Sequence, residues 1–239
     1  MYDYSRAVSK ASGFRQLIGL SESQLFTEFH LEKVLTTLAC LGIRVYTYKQ
    51  LAKVGSVDEL IELWGPDGAA VIKSNKKFIV LNNFKKHEFD TVERSIWTFL
   101  HEVGHFFLGH LKARDCTCLR SGKYSWFESE TNVFVANVLL PEEAIAEYVQ
   151  LNFAECQYID CNQLACMRND FYVSWSALTA RLDFLNIQSS SFSNFLIGTY
   201  RRRKDIALEN DVCINSVDMQ KYTIRLWAKN TPQVYKIGS

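Results

Sequence analysis

In the stretch Trp97-Thr-Phe-Leu100-His101-Glu102-Val103-Gly104-His105-Phe-Phe-Leu108, apolar residues enclose two histidines four positions apart. The spacing and the apolar surroundings predict a largely buried α-helix from about Asp90 to His110. Positions i and i+4 of a helix lie about 40° apart around the axis. His101 and His105 would therefore point the same way, one turn apart, as two imidazoles must to share one Zn²⁺. Glu102 follows the first histidine directly, the position of the general base in an HExxH pattern. Buried imidazoles and a buried carboxylate need partners, and a metal with its water supplies them. Gly104, a poor helix former, predicts close approach by another element.

A hydrolytic zinc site needs a third protein ligand and one open position. Three of the five histidines, His101, His105 and His110, fall within ten residues. On a continuous helix His110 lies about 180° from His101, so it reads as a helix-end or supporting histidine rather than a ligand. The extended metzincin pattern asks for Gly at 108 and His at 111, where this chain has Leu108 and Leu111. Residues 126–141 supply a carboxylate instead. There Glu128, Asn132, Val135 and Leu139 form a helical stripe, with Glu128 as the preferred third ligand and Asn132 one turn on, near the first helix. Glu130 is the alternative; about 200° from Glu128, it is expected to be the more exposed of the two. The plainer reading makes both ordinary charges in a helix's first turn.

With these residues the chain resembles the ImmA/IrrE-type metallopeptidases over roughly residues 25–190. The resemblance rests on Leu41-Gly-Ile-Arg-Val45, Ala70-Val-Ile-Lys73, Phe78-Ile-Val-Leu-Asn82, the HExxH stretch, and Glu128-Ser-Glu-Thr-Asn132-Val-Phe134-Val-Ala136-Asn-Val-Leu-Leu-Pro141. Thr131 and Val135 depart from it, each standing where alanine is usual. The resemblance implies zinc ligands at His101, His105 and Glu128 and a catalytic Glu102. It also implies a protein substrate: a helix-turn-helix transcriptional repressor of a prophage, another mobile element or a stress response. Residues 191–239 lie outside it.

Composition sets broad bounds. A net charge of +1 gives no overall field favouring nucleic acid or an anionic membrane, and 48% hydrophobic content is that of a globular protein. No apolar run reaches the length of a membrane span, and the first residues lack the apolar core of a signal peptide. Seven cysteines, an odd number, point to reduced thiols and a cytoplasmic location. Cys116-Thr-Cys118 and the five-residue spacing of Cys156, Cys161 and Cys166 do not match a CxxC zinc site.

Local signals fill in the rest. Ser21-Glu-Ser-Gln24 has the capping-box pattern for a helix reaching about Cys40, and Ser56-Val-Asp-Glu59 for a short helix to about Trp64. Residues 43–48 read as a strand, Gly65-Pro-Asp-Gly68 as a turn, and residues 69–73 and 78–82 as a hairpin around Ser74-Asn-Lys-Lys77. Residues 114–124 read as a loop. Within it Tyr124 is a candidate oxyanion donor, although a tyrosine more often just packs its ring. Pro141 ends the second ligand helix and opens another. Residues 162–187 read as two helices joined by a tight turn, with Ser174 as N-cap, in a helix-turn-helix-like arrangement. The second of these helices carries one Arg and one Asp. A DNA reader needs several phosphate-neutralising cations, so plain helical packing is expected and direct nucleic-acid binding is not. Arg201-Arg-Arg-Lys204 reads as a solvated helix end, and residues 222–228 as a strand.

The expected fold is α+β: a mostly helical bundle with a small antiparallel sheet and a zincin-like active-site helix. A metallopeptidase domain is expected over 1–190 and a C-terminal extension over 191–239. The expected activity is that of a zinc-dependent endopeptidase acting on a repressor. Two alternatives stand beside it: a protein that inactivates a repressor by binding without cleavage, and a DNA-binding regulator using 162–187.

Overall fold

Helical structure begins before the capping pattern at Ser21. In the computed structural model, which describes residues 4–52, 56–82, 92–111, 116–118, 126–154 and 156–209, helix α1 spans Ser5–Leu17. It buries Ala7, Ala11 and Phe14, a stripe at helical spacing. Ser21 does not open a helix. Its N–H donates to Gln24 Oε1 (3.0 Å), closing a turn. Arg15, wholly buried, donates to the carbonyls of Ser21, Glu22 and Gln24, and those contacts hold the segment as a loop. Helix α2 (Glu28–Cys40) starts after Thr27, whose N–H donates to His30 Nδ1 (3.1 Å).

Strand β1 (Ile43–Thr47) leads into the single turn α3 (Tyr48–Leu51), then α4 (Val57–Trp64). The Ser56 capping box forms: Ser56 N–H donates to the Glu59 carboxylate (2.8 Å), and Glu59 N–H to Ser56 Oγ (3.3 Å). Strands β2 (Gly68–Lys73) and β3 (Lys76–Leu81) make the expected hairpin. Its loop is shorter than expected: only Ser74 and Asn75 turn, both at positive φ (50° and 61°) as a type I′ turn requires.

Helix α5 (Val92–Phe107) carries the two histidines, strand β4 spans Cys116–Cys118, and helix α6 spans Trp126–Leu139. The first helix thus stops short of His110, and a strand stands inside the segment expected to be a loop. The four strands lie in the order β1-β3-β2-β4. The sheet is mixed rather than antiparallel, because β1 pairs parallel to β3. From β1 the chain crosses through α3 and α4 before the hairpin brings β3 back alongside it. Both faces are covered. On one, Ala69, Val71 and Val80 pack with Tyr48 and Leu60 under α3 and α4; on the other, Ala70 and Ile79 are also buried. Helix α5 packs against β2 and β3, and α6 packs against α1 and α5.

The chain divides into two compact units, Met1–Pro141 and Glu142–Ser239. All the candidate ligands lie in the first. In the second, α7 (Glu142–Phe153) follows Pro141 directly. Helices α8 (Cys161–Asp170) and α9 (Trp175–Phe184) flank a tight turn with Tyr172 at positive φ, and Ser174 Oγ accepts from Ala177 N–H as the N-cap (3.2 Å). Helix α10 (Ser190–Glu209) packs on α8 and α9. The guanidinium groups of this helix pair lie over rings, Arg168 over Trp175 and Arg181 over Phe184. Cys40, Cys156, Cys161 and Cys166 are thiols. No helix among the described residues is long and apolar enough to cross a membrane. Asp90, Tyr124, Cys213 and the strand expected at 222–228 lie outside the described residues.

Candidate metal centre

Helix α5 packs close to α6 because of Gly104. A Cβ there would come within 2.9 Å of both Thr131 Cγ2 and Phe134 Cδ1. The missing side chain lets the two helices meet where their polar residues are, as the sequence leads one to expect. His101, Glu102 and His105 are each about 1% exposed, so this polar group sits in the protein interior.

Three side chains converge at the meeting point. His101 Nε2 lies 3.0 Å from Glu128 Oε2, and His105 Nε2 lies 3.4 Å from Glu128 Oε1. The two Nε2 atoms are 3.2 Å apart. One donor atom from each of His101, His105 and Glu128 falls within 4.8 Å of the others. Two imidazole nitrogens and a carboxylate at such separations are a donor set suited to a divalent ion with nitrogen affinity.

The far side of the His101 ring supports this reading. His101 Nδ1 lies 3.2 Å from Asn132 Oδ1, one turn along α6 from Glu128. An amide oxygen can only accept, so this contact places the ring proton on Nδ1 and leaves the Nε2 lone pair facing Glu128. His105 Nδ1 lies 2.9 Å from His110 Nδ1 and 3.4 Å from Thr131 Oγ1.

His110 reaches this position because α5 ends early. Gly109 takes φ +68°, its N–H donates to Phe106 O (3.1 Å), and His110 N–H donates to His105 O (3.0 Å). These are the two bonds of a Schellman ending. They take His110 off the helical path that would have carried it about 180° from His101. His110 Nε2 then meets Glu130 Oε2 at 2.8 Å. Burial lowers the His110 pKa, and the Glu130 carboxylate works against that shift.

Glu130 is the main correction to the sequence reading. It is not the more exposed carboxylate: its side chain is 1% exposed, against 14% for Glu128. Its burial is offset by His110 on one oxygen and by Arg6 Nε on the other (3.2 Å). Arg6 also donates to the Leu108 carbonyl. Sequence reasoning gave Arg6 no role, since nothing local ties residue 6 to residue 130. The signal for His110 was present in Gly109, a residue suited to end a helix two residues after Phe107.

Glu102 sits within electrostatic reach of Tyr48. Burial, with the Glu102 carboxylate adding to it, pushes the Tyr48 phenol up to about 12. The Tyr48 hydroxyl donates to Gly65 O at 2.6 Å. Among the described residues, His101, His105 and Glu128 are the one group of three histidine, cysteine or carboxylate side chains close enough to hold an ion. No protein-family model matches the chain, and a search of curated proteins finds no match either.

Proposed function

We propose that the chain is a zinc-dependent endopeptidase, with His101, His105 and Glu128 holding the metal and Glu102 as general base. The observation that carries this reading is the convergence of two imidazole Nε2 atoms on one carboxylate, one helical turn apart, with a buried glutamate next to the first. A bound zinc ion would supply Lewis acidity at a carbonyl oxygen and bring the pKa of a water towards about 7. Glu102 takes a proton from the attacking water and returns one to the departing amine. Asn132 holds the His101 ring in the tautomer that turns Nε2 to the site. The helix contact at Gly104 fixes the distance between the histidine pair and Glu128.

The resemblance to ImmA/IrrE-type peptidases supports a zincin-like reading of α5 and suggests the substrate: a helix-turn-helix repressor, cleaved at one site so that repression ends. On this reading the protein acts in the cytoplasm. The test pairs zinc analysis with cleavage. Glu102→Gln should keep its zinc and lose about 10²–10⁴-fold in hydrolysis of a repressor substrate. If Glu102→Gln relieved repression as fully as the unaltered protein, the peptidase reading would be lost and binding without cleavage would replace it.

A further inference from the structure

Behind His105 runs a line of hydrogen-bonding groups that does not itself converge on the metal site. His105 Nδ1 meets His110 Nδ1 at 2.9 Å, His110 Nε2 meets Glu130 Oε2 at 2.8 Å, and Glu130 Oε1 meets Arg6 Nε at 3.2 Å. We propose that Arg6, Glu130 and His110 are positioning residues that select the His105 tautomer able to bind a metal and so set the zinc affinity. The inference rests on the metal reading above.

The argument follows the protons. Two imidazole nitrogens at 2.9 Å attract only if one carries a hydrogen and the other a lone pair. With both imidazoles neutral, there are two ways to arrange this. In one, His105 Nδ1–H donates to His110 Nδ1, His110 carries its proton on Nε2, and that N–H donates to the Glu130 carboxylate. His105 Nε2 is then bare and faces Glu128 and His101. In the other, His110 Nδ1–H donates to His105 Nδ1, and the His105 proton sits on Nε2, where it blocks a metal. His110 Nε2 would then turn a lone pair on a carboxylate 2.8 Å away in a buried site, and two acceptors at that distance repel.

Arg6 holds the first arrangement in place. Arg6 Nε meets Glu130 Oε1 and aims the carboxylate, and the second Arg6 bond, to Leu108 O, anchors the line to the Schellman ending. The Thr131 hydroxyl donates to Phe127 O at 2.7 Å, so its hydrogen is committed. Its lone pairs lie 3.4 Å from both His105 Nδ1 and His110 Nδ1 and can accept from whichever carries the proton, so Thr131 serves either arrangement. Helix α1 thereby takes part in the metal site through Arg6, although none of its residues is a ligand. Partners that orient a ligating histidine commonly change metal affinity by about 10–100-fold when removed.

The test is zinc affinity, measured by competition with a chromophoric chelator on metal-free protein, together with the rise in Tm that zinc produces. Glu130→Gln keeps the shape of the side chain, but its amide can face either a lone pair or an N–H. It no longer selects a tautomer, and zinc should bind about 10–100-fold more weakly. Phe14→Leu is the control: it loosens α1 against Phe107 and Phe134 without touching the line. If Glu130→Gln binds zinc no more weakly than Phe14→Leu does, the proposal is overturned. Arg6→Met, at a half-exposed side chain, is the second variant should Glu130→Gln fail to fold. Weaker binding than in the control supports the line, and parity overturns it. The metal reading fails differently: the unaltered protein would then bind no zinc, or Glu128→Ala would bind it equally well.

Discussion

Around the contact of α5 and α6 stand two clusters, each holding histidine and glutamate, that are arranged in opposite ways. In front, His101, His105 and Glu128 point at a common centre. Behind, His110, Glu130 and Arg6 form a line in which each group meets the next. Convergence gathers several lone pairs in one place, and a cation relieves their repulsion. A line alternates donors and acceptors, so protein atoms alone can complete it. The more deeply buried carboxylate, Glu130, has a protein cation, Arg6, beside it. Burial by itself does not distinguish a ligand from a support.

The comparison breaks most decisively at the two glutamates. Glu128→Ala should abolish stoichiometric zinc, weakening affinity by more than the roughly 10–100-fold expected for a supporting partner. Glu130→Ala should keep its zinc, bound less tightly, while its stability falls because Arg6 and His110 lose the carboxylate between them. Metal analysis after dialysis, beside denaturant unfolding, reads both. The reverse pattern, with zinc retained in Glu128→Ala and lost in Glu130→Ala, would exchange the roles of front and rear.

Gly104 comes next, because both clusters hang on the contact it permits. Alanine favours a helix over glycine by about 1 kcal/mol, so on propensity alone Gly104→Ala would stabilise α5. The added Cβ meets Thr131 and Phe134 at 2.9 Å, and overpacking of this kind costs about 1–3 kcal/mol. A net loss of stability is expected, with weaker zinc binding as α6 and Glu128 move away. Denaturant midpoints and zinc affinity measured on one variant check both parts. A gain in stability with unchanged affinity would mean that the helices have slack at this point.

What the sequence made legible was local. The histidine spacing, the Ser56 capping box, the hairpin around Ser74 and Asn75 and the Glu128–Asn132 stripe each depend on residues within one or two turns of each other. The burial of Glu130 depends on two things that no local pattern contains: the Schellman ending that swings His110 back, and Arg6 arriving on a helix more than a hundred residues earlier. The capping pattern at Ser21 misled for the same reason. Its hydrogen bond forms, but Arg15 takes up the neighbouring carbonyls and the segment stays a loop. The parallel pairing of β1 with β3 likewise follows from the path of the chain through α3 and α4, not from the composition of either strand.

The smallest expected effect concerns which cluster Glu102 belongs to. Its carboxylate adds to the burial that holds the Tyr48 phenol at about 12, against an ordinary value of 10. The folded state therefore favours the protonated phenol. The stabilisation that results is complete below pH 10 and is lost as pH rises through about 12. Replacing Glu102 by glutamine removes a nearby negative charge, so ionising Tyr48 becomes easier and its pKa comes down. The alkaline loss of stability should then begin at the same pH, end sooner and be smaller than in the unaltered protein. Tyrosinate absorbance, with Tyr48→Phe identifying the signal, gives the pKa; unfolding at two alkaline pH values gives the stability. An unmoved Tyr48 titration in Glu102→Gln would separate Glu102 from the sheet side of α5. The electrostatic link between Glu102 and the core beneath α3 and α4 would then be lost.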